Sequence, residues 1–192
     1  MLFRSDPGSH GHRGATPRNR HLFGPPGTLY AYRSYGIHTC VNVVSGPEGT
    51  SSGSLLRAAE VVDGVEVARD RRGPSVADVA LARGPGNLGQ ALGAVLGADD
   101  GTSVLDGSGP FRLTLPPGLE ARLTAADPAD VVAELLRETV AGPVGAARVR
   151  RISVGPRTGV AGVAGGATFP WRSWWTGDPT VSAYRRHRRA ID

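Results

Sequence analysis

The apolar positions of residues 1–27 follow no period. Gly, Pro, His and Arg dominate there, and the segment reads as an extended surface stretch. From Thr28 the pattern changes. "TLYAYRSY" is β-branched and aromatic, and "IHTCVNVVS" follows after a single Gly36. Two such runs about a tight turn predict a β-hairpin with its tip near Ser34 to Gly36. Side chains alternate between the faces of a strand, so Tyr30 and Tyr32 share one face, as do Cys40 and Asn42 on the return strand. After the loop "GPEGTSSG", the run "SLLRAAEVV" predicts a third strand.

The pattern then shifts toward the helical period. "DGVEVARDRR" predicts a helix with Asp63 as its N-cap, and "SVADVALA" another capped by Ser75. "GNLGQALGAVLG" puts Leu88, Ala91 and Leu92 on one helical face. Short strands are expected at "TSVLD" and "FRLTL". "DPADVVAELLRETV" combines Pro128 in a first turn with apolar residues at helical spacing. "ARVRRISVG" and "WRSWWTG" read as late strands, "TGVAGVAGGATF" as a glycine-rich loop and "AYRRHRRAID" (183–192) as a solvated basic tail. Strands followed by mixed helices and strands predict an α+β fold around a mostly antiparallel sheet, in a single domain of residues 1–192.

Charge narrows the functional classes. The 22 basic residues, all arginine, exceed 17 acidic ones for a net charge of +5. A surplus of this sign suggests a polyanionic partner, nucleic acid first, although a soluble protein from an arginine-rich proteome would carry it too. With no lysine in the chain, chemistry through a lysine imine is excluded, and only the N-terminal amine is left as an amine nucleophile. Cys40 is the single cysteine, which excludes an intrachain disulfide and a Cys-rich zinc site and fits a reducing, cytoplasmic setting. The start "MLFRSDPGSH" lacks the apolar core of a signal peptide, and no apolar run reaches membrane-spanning length, so no membrane partner is expected.

Two motifs have plain structural readings. "GPGNLG" (84–89) has the G-x-G-x-x-G form of a dinucleotide site, but no βαβ unit surrounds it, and a tight turn opening a helix accounts for it. His10 and His12 form an H-x-H pair, with His21 and His38 not far along the chain. No cysteine or carboxylate completes a ligand set, so neither a metal nor another cofactor is expected.

The tyrosines carry more information. Three of the four, Tyr30, Tyr32 and Tyr35, fall within one short run, just after Arg18 and Arg20. Ordinary sheet packing accounts for Tyr30. Tyr35, at the hairpin tip, has little core to enter. An exposed aromatic beside positive charge suits stacking on bases, and a wedge in the minor groove unstacks a base step.

At these residues the chain resembles the alkyladenine (3-methyladenine) DNA glycosylase family, monofunctional enzymes that excise alkylated purines. The matching stretches are "SHGHRGATPRNRHLFGPPGTLYAYRSYGIHTCVN", "SLLRAAEV", "RGPGNLGQALG" and "PWRSWWTGDPTVS", and the likeness runs from about Asp6 to Ser182. The resemblance implies a compact α+β domain with a curved antiparallel sheet and a hairpin projecting toward DNA. It implies a role for Tyr35 as the intercalating residue that fills the gap left by a flipped nucleotide. His10 and Tyr32 are similar to two walls of the pocket that stacks the extruded base, and Asn42 to the residue that senses the purine's minor-groove edge. Arg57 resembles the arginine that holds the attacking water, and Thr16, Arg18 and Arg20 lie in the DNA-binding segment. The partner implied is double-stranded DNA containing alkylated purines, met by a monomer in base excision repair.

One departure qualifies this expectation. The family's catalytic Glu stands in a Glu-Ala-Tyr motif upstream of the histidine matched by His10, at a position that falls before Met1. Asp6 aligns with a different acidic position. The 192-residue chain is therefore expected to excise poorly, and the competing readings are a lesion-binding remnant and a basic RNA-associated protein.

Overall fold

The hairpin forms where the alternation puts it. Strand β1 (Leu29–Ser34) pairs antiparallel with β2 (His38–Val44), in a register that sets Tyr30 opposite Asn42, Ala31 opposite Val41 and Tyr32 opposite Cys40. At the tip, Tyr35 (φ 51°) and Gly36 (φ 74°) both have positive φ, and the Ile37 amide donates to the Ser34 carbonyl at 3.1 Å. Two positive-φ central residues are what a hairpin turn of type I′ requires. Gly36 accepts that conformation freely; Tyr35 does so against its Cβ.

The computed structural model describes residues 5–115 and 151–192. Between them it describes residues 117–119, 121 and 127 and the backbones of 139–141 and 147–149. Strand β3 (Gly53–Leu55) extends the hairpin into a three-stranded antiparallel sheet, with Leu55 opposite Asn42. Helix α1 (Val65–Arg72) and helix α2 (Pro85–Leu92) follow. Strands β4 (Thr139–Ala141) and β5 (Ala147–Val149) form one antiparallel pair, and β6 (Ile152–Gly155) and β7 (Arg172–Trp175) another. The molecule is thus a mixed helix and strand fold whose sheets are antiparallel, as α+β predicts.

The core lies on one side of the hairpin. Leu29, Ala31 and Val41 pack with Ala68 of α1, Leu81, and Leu88 and Ala91 of α2. Burying a Leu or Val side chain contributes about 1.5–3 kcal/mol, so this layer holds the helices onto the sheet. Tyr30, Tyr32, Cys40 and Asn42 project from the opposite face.

The "GPGNLG" turn opens α2, with Gly84 at φ 102°. Its last glycine has a packing role. A Cβ on Gly89 would sit 1.9 Å from the Thr39 carbonyl oxygen, so the helix can lie against β2 only because that atom is missing.

Several local expectations differ from the structure. Asp63 does not cap α1; its Oδ1 takes the adjacent Gly64 amide at 2.8 Å, and Gly64 itself is the N-cap. Ser75 caps nothing. "SVADVALA" shrinks to a 3₁₀ turn, Asp78–Ala80, because Arg69 draws both the Val76 carbonyl and the Asp78 carboxylate to α1. Of the nine residues of "SLLRAAEVV", only Ser54 and Leu55 are in β3. "TSVLD" yields a single bridge, Ser103 to Thr28, and "FRLTL" no strand. There Ser103 Oγ and Asp106 Oδ1 bind nearby amides, and such local bonds compete with a ladder. Leu92 is exposed while Leu88 and Ala91 are buried. The helix expected over "DPADVVAELLRETV" lies mostly outside the described residues, and its last two positions belong to β4. The glycine-rich stretch is a loop containing the 3₁₀ turn Val163–Gly165.

Gly89→Ala should destabilise the fold by about 1–3 kcal/mol, because overpacking against backbone cannot relax by a side-chain rotation. Leu92→Ala, a larger deletion on the exposed side of the same helix, should cost less. Urea unfolding of the two variants beside the parent chain checks the order.

Candidate functional site

The face of the hairpin turned away from the core is an aromatic surface. The Tyr30 and Tyr32 rings stack with centroids 5.9 Å apart and planes at 21°. His10 meets Tyr32 edge-on at 4.6 Å, and its Nδ1 is 3.0 Å from the Tyr30 hydroxyl. Desolvation by burial pushes both phenols up to about 12 and lowers His10 from the ordinary imidazole range. Neutral phenols and a neutral imidazole therefore make up this wall near pH 7.

His10 is held by its loop. Asn19, which is buried, donates through Nδ2 to the His10 carbonyl at 2.7 Å and to the Gly14 carbonyl at 3.1 Å. Its Oδ1 accepts from the Thr16 amide and hydroxyl at 2.6 and 2.9 Å. A Cβ on Gly11 would lie 1.8 Å from Ser51 Oγ, and one on Gly8 would lie 2.8 Å from Ala164 Cβ. The glycines of "PGSHGHRG" thus let this loop seat against two neighbours. The seat is fastened by Asp6, only 1% exposed, whose carboxylate meets both terminal nitrogens of Arg157 at 2.7 Å.

Asn42 is buried, and its Nδ2 donates to the Tyr30 carbonyl at 3.1 Å. Cys40 is buried beside Tyr32, and burial raises its thiol pKa. Arg57, half-buried, sits near this pair. Its pKa is lowered by desolvation first and then by Arg157, and among the described residues it has no acidic partner. Arg172 lies 4.1 Å over the Trp174 ring and 5.4 Å over that of Tyr184.

Cys40, Asn42, Arg57, Arg172 and Trp174 line one open cleft of about 1350 Å³. His10, Tyr32, Asn42 and Arg57 line it together with Trp171, Trp174 and the exposed Tyr35. Tyr35 is 84% exposed and the neighbouring Ile37 68%. Thr16, Arg18 and Arg20 do not line the cleft; they are on the exposed surface of the N-terminal segment, where Arg20 Nε donates to His21 Nε2 at 2.9 Å. His10 and His12 do not converge, since His10 turns to the tyrosines. Among the described residues no group of three His, Cys, Asp or Glu is arranged to hold a metal.

The sequence profile of the methylpurine-DNA glycosylase family matches residues 2–179. The chain belongs to this family. A Nocardia farcinica protein named "Putative 3-methyladenine DNA glycosylase" is 46% identical over 185 residues, 96% of this chain and 72% of its own length. Relatives of the same name in Mycobacterium tuberculosis and Leifsonia xyli are 45% and 43% identical, covering 96% and 95% of this chain and 74% and 72% of their own. For a methylpurine-DNA glycosylase family member, the sequence reading missed Asp6–Arg157, Asn19 and the Arg172 stack. Only the glycines at 8 and 11 hinted at the first of these, by signalling close backbone approach.

The lowered His10 pKa fixes the sign of one pH effect. The unfolded chain binds a proton at His10 more readily than the folded chain. The contribution is therefore fully present above the unfolded value, near 6.5, and is lost as pH falls through the folded value. Melting temperature should fall between pH 7 and pH 5, and less steeply in His10→Gln. Parallel slopes for the two proteins would show that His10 plays no part.

Proposed function

We propose that this protein is a monofunctional DNA glycosylase of base excision repair, acting as a cytoplasmic monomer on double-stranded DNA. It extrudes alkylated purines and hydrolyses the N-glycosidic bond. The observation that carries the reading is the convergence on one cleft of an aromatic wall (His10, Tyr32), a half-buried arginine (Arg57) and a strained, exposed tyrosine (Tyr35).

Each part has a physical task. A base inside the duplex must leave the stack before its glycosidic bond can be attacked, at a cost of a few kcal/mol. Tyr35 enters the minor groove and fills the gap, offsetting that cost. The extruded base stacks on Tyr32 and His10, and stacking contributes about 1–3 kcal/mol per base. A cationic purine stacks well on electron-rich rings and departs without needing a proton. Asn42 senses the minor-groove edge of the purine. Thr16, Arg18 and Arg20 contact the backbone, and Arg57 holds the attacking water, although a guanidinium cannot take the proton from it.

A second reading, lesion binding with weak excision, is favoured by one observation. Asp6 cannot serve as the base, because both of its oxygens are engaged by Arg157, and no described carboxylate pairs with Arg57. The two readings separate in a single-turnover assay of 3-methyladenine and 7-methylguanine release. The 192-residue chain should be about 10²- to 10⁴-fold slower than a form extended upstream through a Glu-Ala-Tyr run. Equal rates would shift attention to a carboxylate within the chain such as Glu60. No release by either form would overturn excision.

Lysine-free composition yields a further test. Borohydride treatment of the protein with abasic DNA should trap little covalent adduct, since no side chain can form the imine. Robust trapping would assign lyase chemistry to the N-terminal amine.

A further inference from the structure

We infer that Arg185, Arg188 and Arg189 form a second DNA-contacting surface, one that meets backbone phosphates beside the cleft. This rests on the function proposed above and goes beyond it, because the family match ends at residue 179.

The tail that bears these residues is docked. The Gly162 amide donates to the Arg189 carbonyl at 2.7 Å, and the Ile191 amide returns to the Gly162 carbonyl at 3.0 Å. Asp192 Oδ1 takes the Ala167 amide at 3.0 Å, and Tyr184 lies under Arg172. The loop is built to receive it: a Cβ on Gly166 would sit 2.0 Å from the Ile191 carbonyl oxygen, and one on Gly165 would sit 3.2 Å from Ala190 Cβ.

Docking sorts the charges. Arg186 is spent internally, on Asp192 at 2.7 Å and the Ala190 carbonyl at 3.1 Å. Arg185, Arg188 and Arg189 stay exposed, and among the described residues none has a carboxylate partner. Three unneutralised guanidinium groups on a fixed backbone suit a row of phosphates, whose geometry the planar fork matches. Fixing the backbone beforehand lowers the ordering cost of binding. The place also fits. Val160 and Ala161, just before the docking glycine, and Val181 and Ser182, just before the tail, all line the cleft. DNA delivering a base to that cleft would run past this rim.

The test measures the salt dependence of Kd for an undamaged duplex and for one carrying an abasic analogue. In the full chain, R185A/R188A/R189A should lower the slope of log Kd against log salt by about 2–3, equally on both duplexes. Lysine at the same three positions should preserve the slope. Arg188→Glu alone should lower it by about 1 or more, and it decides the matter if the triple variant unfolds. An unchanged slope, or a loss confined to lesion DNA, overturns the proposal. Parent chain that binds lesion DNA while the variants keep its slope overturns the tail surface alone. Parent chain that binds neither duplex overturns the proposed function with it. Tail-dependent binding of duplex RNA as strong as that of DNA reassigns the surface and overturns the DNA assignment.

Discussion

Everything at the cleft depends on the register of one hairpin. In β1 and β2 the period of two sends Leu29, Ala31 and Val41 to the helices and Tyr30, Tyr32, Cys40 and Asn42 to the cleft. A slip of one residue would exchange the two sets, burying phenols in the core and offering alanine and leucine to the ligand. Three independent contacts hold the register. The Tyr35–Gly36 turn fixes the loop length, Asn42 bonds across to the Tyr30 carbonyl, and Asp100 Oδ1 takes the Ala31 amide at 2.9 Å on the outer edge of β1. Left-handed backbone at Tyr35 costs about 1–2 kcal/mol for a residue with a Cβ. The fold carries that cost at the position where an aromatic ring is presented to solvent, which is where strain points to a role outside the fold.

The second constraint is the fastening of the N-terminal loop. A buried ion pair contributes little net stability against an apolar replacement, but loss of one partner strands a charge and is strongly destabilising. Asp6 with Arg157 is therefore better understood as a positional lock than as a source of stability. It joins the loop that carries His10 to the stretch 157–161, which also lines the cleft, and Arg157 Nη2 also donates to the Ala164 carbonyl at 3.0 Å. The wall that His10 adds to the tyrosines thus depends on a contact made 151 residues away.

That separation explains what sequence reasoning could and could not reach. The hairpin, its tip, the shared face of Tyr30 and Tyr32, α2 and the late strands are set by local period and turn chemistry, and they were legible. The family motif, rather than spacing, was what grouped His10, Tyr32, Asn42 and Arg57, and all four line the one cleft. The Asp6–Arg157 pair was not legible, because nothing in "SDPG" or "GPRTG" marks the other as its partner. The Ser75 cap and the strand at "TSVLD" failed for the opposite reason. Their local signals are present in the sequence, but Arg69 and Ser103 offer the chain competing partners. The basic composition of 183–192 predicts solvation, and its arginine heads are mostly exposed; the docking of its backbone rests on glycines that composition alone marks only as loop.

The internal hydrogen bonding of the cleft bears on what it could select. The Tyr30 hydroxyl is taken by His10, the Asn42 amide by the Tyr30 carbonyl, and the Asp6 carboxylate by Arg157. The polar atoms nearest the aromatic wall are thus largely committed to one another. What is left to a ligand is mostly ring face, the Asn42 Oδ1 and the guanidinium of Arg57. Under the proposed function, discrimination by a full hydrogen-bond code is then unavailable, and the electron deficiency of the ligand ring becomes the main variable. Alkylation at a ring nitrogen makes a purine cationic, which strengthens stacking on Tyr32 and weakens the glycosidic bond in the same step. Binding and reactivity would rise together for damaged bases, and an ordinary purine would lose on both counts before Asn42 reads its edge.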